Sequence, residues 1–144
     1  MKMTAKEFLK QYEYADNRAK RYRALYEEQQ EKIDAIGSTL AGDGLPHGSG
    51  ISRKTEDKAI KLADAALAWK EAELDALMIR GEVFAMIEDV PGVEGEILYQ
   101  RYIKLKPWEE ICVAIHYTWS STHRAHRRAL AIVQRRLDND IERH

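Results

Sequence analysis

Apolar and small residues in the first part of the chain recur alternately four and three positions apart. Phe8, Tyr12, Ala15, Ala19, Tyr22, Tyr26, Gln29, Ile33 and Ile36 form a heptad-like seam, which predicts one long amphipathic helix from about Ala5 to Ile36. Thr4, with Glu7 three residues later, is a capping-box pattern at its start. Such a helix is roughly 45 to 50 Å long. Periodicity then stops. Gly37 to Gly50 holds five glycines and Pro46, the composition of a loop or disordered tip. A helical pattern returns at Ser52 or Thr55 and runs to about Asp89. Ile60, Ala63, Leu67, Leu74, Met78, Gly81 and Phe84 or Ala85 share one stripe, which Ala66, Trp69 and Leu77 widen. Two helices of similar length joined by a flexible connector pack most simply as an antiparallel hairpin. Gly81 costs some helical stability and is expected to allow close packing.

Val90-Pro91-Gly92 ends this helix, because proline disfavours a helical residue before it and glycine frees the chain. A short helix follows, about Glu94 to Ile103, with Leu98, Tyr102 and Ile103 directed to a core. Trp108, Ile111, Cys112 and Ile115, again three and four apart, define the inward face of the next helix. Pro107 sits at or before its first turn, where a missing amide donor costs nothing, and Glu109 and Glu110 suit the positive end of its dipole. This helix stops near His116. Thr118 is then a good N-cap for a final helix, its hydroxyl accepting from the backbone of Ser120 or Ser121. Thr122, Ala125, Ala129, Leu130 and Val133 make the inward stripe of that helix, small at the crossing and larger beyond it.

The expected fold is therefore all-α. A helical hairpin occupies residues 1–90, with helices at about 5–36 and 53–89 and a flexible loop at 37–52. A small helix-turn-helix domain occupies residues 91–144. The N-terminal seam serves either as the internal core of the hairpin or as an oligomer interface, and the half-polar Tyr12, Tyr22 and Tyr26 suit the latter.

Charge sharpens this picture. The 144 residues carry 23 Lys or Arg against 24 Asp or Glu, a formal net charge of −1, which by itself argues against a nucleic-acid ligand. From Arg101 onward, however, nine basic residues face five acidic ones, and no acid lies between Trp119 and Leu137. Affinity for phosphate depends on the local patch rather than the total. The front of the last helix presents Trp119, Ser120, Ser121, His123, Arg124, Arg127 and Arg128 outward, and Arg135 and Arg136 follow.

Other chemistry is poorly supported by the sequence. A single cysteine, Cys112, offers no disulfide framework or metal set and is expected in the core. His123 and His126 lie three apart without the cysteine pair or acidic ligand of a zinc site, so phosphate or base contact, or plain exposure, is expected of them. Glu109 and Glu110 diverge by about 100° around a helix and do not flank one substrate. No nucleophile-base pair, phosphate-cradling glycine loop or cofactor motif is present, so neither an enzyme nor a cofactor is expected. No apolar run suits a membrane span or a signal peptide, which points to the cytoplasm.

Leu98-Tyr99-Gln100-Arg101-Tyr102-Ile103, Trp108-Glu109-Glu110-Ile111, Tyr117-Thr118 and Arg128-Ala129-Leu130 together resemble region four of bacterial sigma factors. They are more similar still to phage and prophage regulators of the ArpU and RinA late-activator type, which carry such a domain behind an N-terminal helical segment. The resemblance covers roughly Glu94 to Leu137. It implies that the front of the last helix enters the major groove of double-stranded DNA through Trp119, Ser120, Ser121, His123, Arg124, Arg127 and Arg128; apart from the resemblance, Lys104 and Lys106 are expected as further phosphate contacts. The chain departs from the family at His116, where glycine is common, at Thr122, where a larger aliphatic is usual, and at Trp119, where a polar or basic residue is common. The expectation is a sequence-specific, phage-type transcriptional regulator, with the N-terminal helices for homodimerisation or for docking to RNA polymerase. A module that binds polymerase or another phage protein, and a small DNA-packaging (terminase) recognition subunit, are the alternatives.

Overall fold

The computed structural model describes residues 2–43 and 49–143, and all its regular elements are helical. They are α1 (Ala5–Asp43), α2 (Ser49–Ile87), α3 (Gly92–Leu98), a π-helical turn (Tyr99–Ile103), α4 (Trp108–Ile115) and α5 (Trp119–Arg143). Among the described residues no helix is long and apolar enough to cross a membrane. Both long helices continue into the stretch expected to be a loop, α1 to Asp43 and α2 from Ser49. A helical glycine costs about 1 kcal/mol rather than forbidding the conformation. Residues 44–48, the centre of the expected Gly37–Gly50 loop, lie outside the described residues.

The chain divides into two compact units, one of Met1–Ala15 with Ala76–His144 and one of Asp16–Asp75. In the second, α1 and α2 run antiparallel. Arg18 pairs with Asp75 at 3.5 Å, and farther along α1 the Tyr26 ring lies 5.3 Å from that of Trp69, earlier on α2. The guanidinium of Arg23 also lies over the Trp69 ring.

The capping box at the start of α1 is formed in both directions. The Thr4 amide donates to Glu7 Oε2 at 3.1 Å, and the Glu7 amide donates to Thr4 Oγ1 at 3.2 Å. All nine residues of the predicted α1 seam are buried or half-buried. The stripe predicted for α2 is not. Ile60, Leu67 and Leu74 are 60, 59 and 59% exposed, and Leu77, Met78 and Phe84 are exposed as well. Ala72, Ala76, Val83 and Ile87 are closed to water instead. These four follow one another four or seven positions apart on one side of the helix, and Val83 and Ile87 pack in a core with Ala5 and Leu9 of α1. Gly81 has no atom within 4 Å of where a Cβ would sit, so it permits no close approach.

In the unit that contains the C-terminal helices, the main core joins Ala5 and Leu9 of α1 and Val83 and Ile87 of α2 to Leu98, Tyr102, Ile103, Ala129 and Val133. A smaller core unites Ile97, Ile111 and Ala125, with Val93, Trp108 and Ile115 against it. Each fully buried aliphatic, such as Leu9 or Ile111, contributes about 1.5–3 kcal/mol. Helix α3 is set close to the end of α2 at Gly95, where an added Cβ would lie 1.9 Å from the Val90 carbonyl oxygen. The single helix expected over 94–103 is in fact an α-helix that widens into a π-turn. The Lys104 amide reaches back to the Tyr99 carbonyl, and that of Lys106 to Gln100.

Candidate functional site

The candidate site is built on α4, the turn after it and the first half of α5. Pro107 precedes α4 in extended conformation, and Glu109 and Glu110 occupy the first turn. Ile111 is fully buried, while Trp108, Cys112 and Ile115 are half-buried. The helix ends at His116, whose backbone is left-handed at φ 60°, ψ 38°. The His116 amide donates to Val113 and the Tyr117 amide to Cys112, a Schellman closure in which a non-glycine residue is strained by about 1–2 kcal/mol. Thr118 caps the next helix, its Oγ1 accepting from the Ser121 amide at 3.2 Å.

From that cap α5 runs with Thr122, Ala125, Ala129 and Val133 fully buried, as the stripe predicts, and with Leu130 half-buried. His126 joins them, contrary to the expectation of exposure or of contact with a ligand. It is 7% exposed and shares a 2.7 Å hydrogen bond between its Nε2 and the Tyr102 hydroxyl. Burial, reinforced by the positive groups of His123, Lys6, Arg101 and Arg127, holds the imidazole down at about 4. Burial pushes the Tyr102 phenol up to about 12, opposed by Arg101 and assisted by Glu13. Thr122 Oγ1 is buried without a partner, which is the local cost of a threonine in an aliphatic position.

The residues expected to meet DNA divide into three groups. Trp119, Ser120, Arg124 and Arg127 are exposed. Among the described residues no acid pairs with Arg124, Arg127 or Arg135, and Arg124 donates only to Ser121 Oγ at 3.3 Å. Ser121 and His123 are partly withdrawn. The Ser121 hydroxyl also accepts from Thr118, and the His123 ring is held between Trp108 and Trp119 at 4.6 and 4.5 Å between centroids. Two arginines are engaged with acids. Arg128 Nε donates to Glu94 Oε1 at 2.9 Å, a bond that holds the Glu94 carboxyl below its usual range. Arg136 donates to the Met86 carbonyl at 2.9 Å and to the Asp89 carboxylate. Lys104 is exposed with its Nζ over the Tyr99 ring, and Lys106 is half-buried.

A cavity of about 150 Å³ opens beside the front of α5, lined by Lys6 and Lys10 of α1, Arg101 of the π-turn, and Trp108 and His123 over buried Tyr102 and His126. The spacing of Lys6 and Lys10, one helical turn apart, was the only signal available in the chain, and nothing local connects it to residues a hundred positions away. Chemically the region offers unpaired fixed cations, an exposed indole and hydroxyl groups, a set suited to binding anions and stacked rings. Among the described residues no group of three or more His, Cys, Asp or Glu is placed to hold a metal.

No family model, curated protein or solved structure matches this chain.

Proposed function

We infer that the chain is a phage-type, sequence-specific DNA-binding transcriptional regulator that uses α4, the His116-Tyr117-Thr118 turn and α5 as a sigma-region-four-like helix-turn-helix. The observation that carries the reading is the state of Arg124 and Arg127. They project from the front half of a 25-residue helix, exposed and without an acidic partner, beside the exposed Trp119. A surface designed only for solubility disperses both charge signs along a helix, whereas this stretch carries no acid from Trp119 to Leu137. In this reading Trp119, Ser120, Ser121, His123 and Arg124 meet base edges, and Arg127 and Arg128 hold phosphates. The Arg128–Glu94 pair is exposed on its arginine side, and an exposed pair of this kind is worth about 0–1 kcal/mol, small enough for a phosphate to compete.

The N-terminal helices act in self-association. Ile60, Leu67 and Leu74 stand exposed at seven-residue intervals on α2, the repeat by which one helix seats against a second helix over many turns. A second copy of the chain brings the same seam, and a twofold pair of such seams is the simplest closed arrangement.

The test is a pair of substitutions. Arg124→Ala is expected to relax preference at one base pair, costing about 1–3 kcal/mol of discrimination. Arg135→Ala, about three turns farther along the helix, is expected to change little. Binding to specific and random duplexes is measured for both by fluorescence anisotropy. Equal losses on both duplexes for both variants remove base readout.

A further inference from the structure

We propose that Lys6 and Lys10 of α1, with Arg101 of the π-turn and His123 of α5, form a phosphate-binding cleft that grips the DNA backbone next to the groove entered by α5. The proposal rests on the DNA-binding reading and extends it, because it makes the first helix part of the interface.

Four observations carry it. First, Lys6 and Lys10 lie one turn apart on α1 and line the same 150 Å³ cavity as Arg101 and His123. A cavity of that volume admits a ligand about the size of benzene, and so a tetrahedral oxyanion. Second, among the described residues neither lysine has an acidic partner within ion-pair distance. Like charges at i and i+4 repel by a few tenths of a kcal/mol, a repulsion that a bound anion relieves, and the nearby Glu7 carboxylate is engaged at the Thr4 amide. Glu13, the acid whose charge is felt at Tyr102, lies farther along α1 and does not line the cavity. Third, Arg101 is held in place, with Nη1 donating to the Lys106 carbonyl at 3.0 Å and its guanidinium over the Trp108 ring. A held guanidinium offers its remaining N–H groups in fixed directions, which suits phosphate oxygens. Fourth, the His123 ring lines the cavity, and among the described residues its Nε2 has no hydrogen-bond partner. Such a group is a donor or acceptor in want of a ligand. Since the His123 ring also packs, tilted, against that of Trp119, a phosphate bound here is continuous with the surface proposed to meet the bases.

The experiment uses the full chain. Duplex affinity is measured against salt for the wild type, for Lys6→Gln with Lys10→Gln, and for Lys6→Arg with Lys10→Arg. In parallel, inorganic phosphate is titrated while the imidazole resonances of His123 and His126 are followed by NMR. The glutamine pair is expected to weaken specific and random duplexes alike, to flatten the slope of log affinity against log salt by about one unit, and to abolish the phosphate response. The arginine pair is expected to retain all three. If the glutamine pair binds duplex with an unchanged salt slope, the cleft is overturned while DNA binding stands. If the arginine pair loses as much as the glutamine pair, the lysines act structurally and the cleft is again overturned. If the wild type binds no duplex yet its imidazoles respond to phosphate through the two lysines, the DNA backbone is overturned as the source of the anion, together with the function inferred above.

Discussion

Two glycines that look alike in the sequence have opposite roles. Gly95 sits in a short helix against the Val90 carbonyl, where a methyl group has no room, whereas Gly81 faces open space. Gly95→Ala is expected to destabilise the fold by about 1–3 kcal/mol or more through overpacking against backbone. Gly81→Ala is expected to stabilise it by about 0.5–1 kcal/mol through helix propensity. Urea denaturation of the two variants separates them, and a loss for both would contradict the assignment of Gly81. At the same scale, His126 ties stability to pH. Its folded value near 4 lies below the ordinary 6.5, so the unfolded chain binds the proton more readily. Its contribution is complete above about pH 6.5 and is lost as pH falls toward 4, at up to about 1.4 kcal/mol per pH unit. Burial sets this first, and the positive groups of His123 and Arg127 of α5, Lys6 of α1 and Arg101 of the π-turn add to it, with Tyr102 as the hydrogen-bond partner. Unfolding midpoints from pH 7 to 4 are expected to fall less steeply in His126→Gln than in the wild type; parallel slopes contradict the assignment. Residue-scale features were legible where their chemistry is local. The Thr4–Glu7 box, the Thr118 cap and the strained stop at His116 each depend on residues within a turn or so. The partners of Arg128 and Arg136 were not legible, because Glu94 and Asp89 lie 34 and 47 positions away.

Helix existence and type were readable from period alone for every long element, and the inward face of α1 came out as expected, as did that of α5 apart from the added His126. The inward face of α2 did not. That helix carries two apolar faces, one of large aliphatics and one rich in alanine, and hydrophobicity favours the first. The face with Ala72, Ala76, Val83 and Ile87 is buried, and Ile60, Leu67 and Leu74 stay outside. The π-turn was hidden for a related reason, since its extra residue per turn is selected by the packing of Leu98, Tyr102 and Ile103 rather than by any local signal. If the exposed seam joins two copies, Leu67→Ser with Leu74→Ser is expected to convert a dimer to a monomer in sedimentation equilibrium while leaving the helical content unchanged. A wild-type chain that is already monomeric over the whole concentration range contradicts self-association through α2.

For the whole molecule, charge placement matters more than charge total. A chain with a net charge of −1 carries an acid-free basic helix because its acids lie elsewhere, most of them in the first hundred residues. In the proposed DNA-binding role, an acidic remainder would lower affinity for random duplex and leave discrimination to the few side chains placed to reach bases. The sequence showed this segregation, but not the contribution of the N-terminal lysines to the surface beside α5, which exists only once the chain has folded back on itself. The central claim is that α5 reads sequence in duplex DNA. It is tested most directly by selecting bound duplexes from a random pool at physiological salt with the wild type and with Arg124→Ala. The account predicts an enriched motif containing a guanine whose preference disappears in the variant. A pool that the wild type leaves unenriched would contradict it.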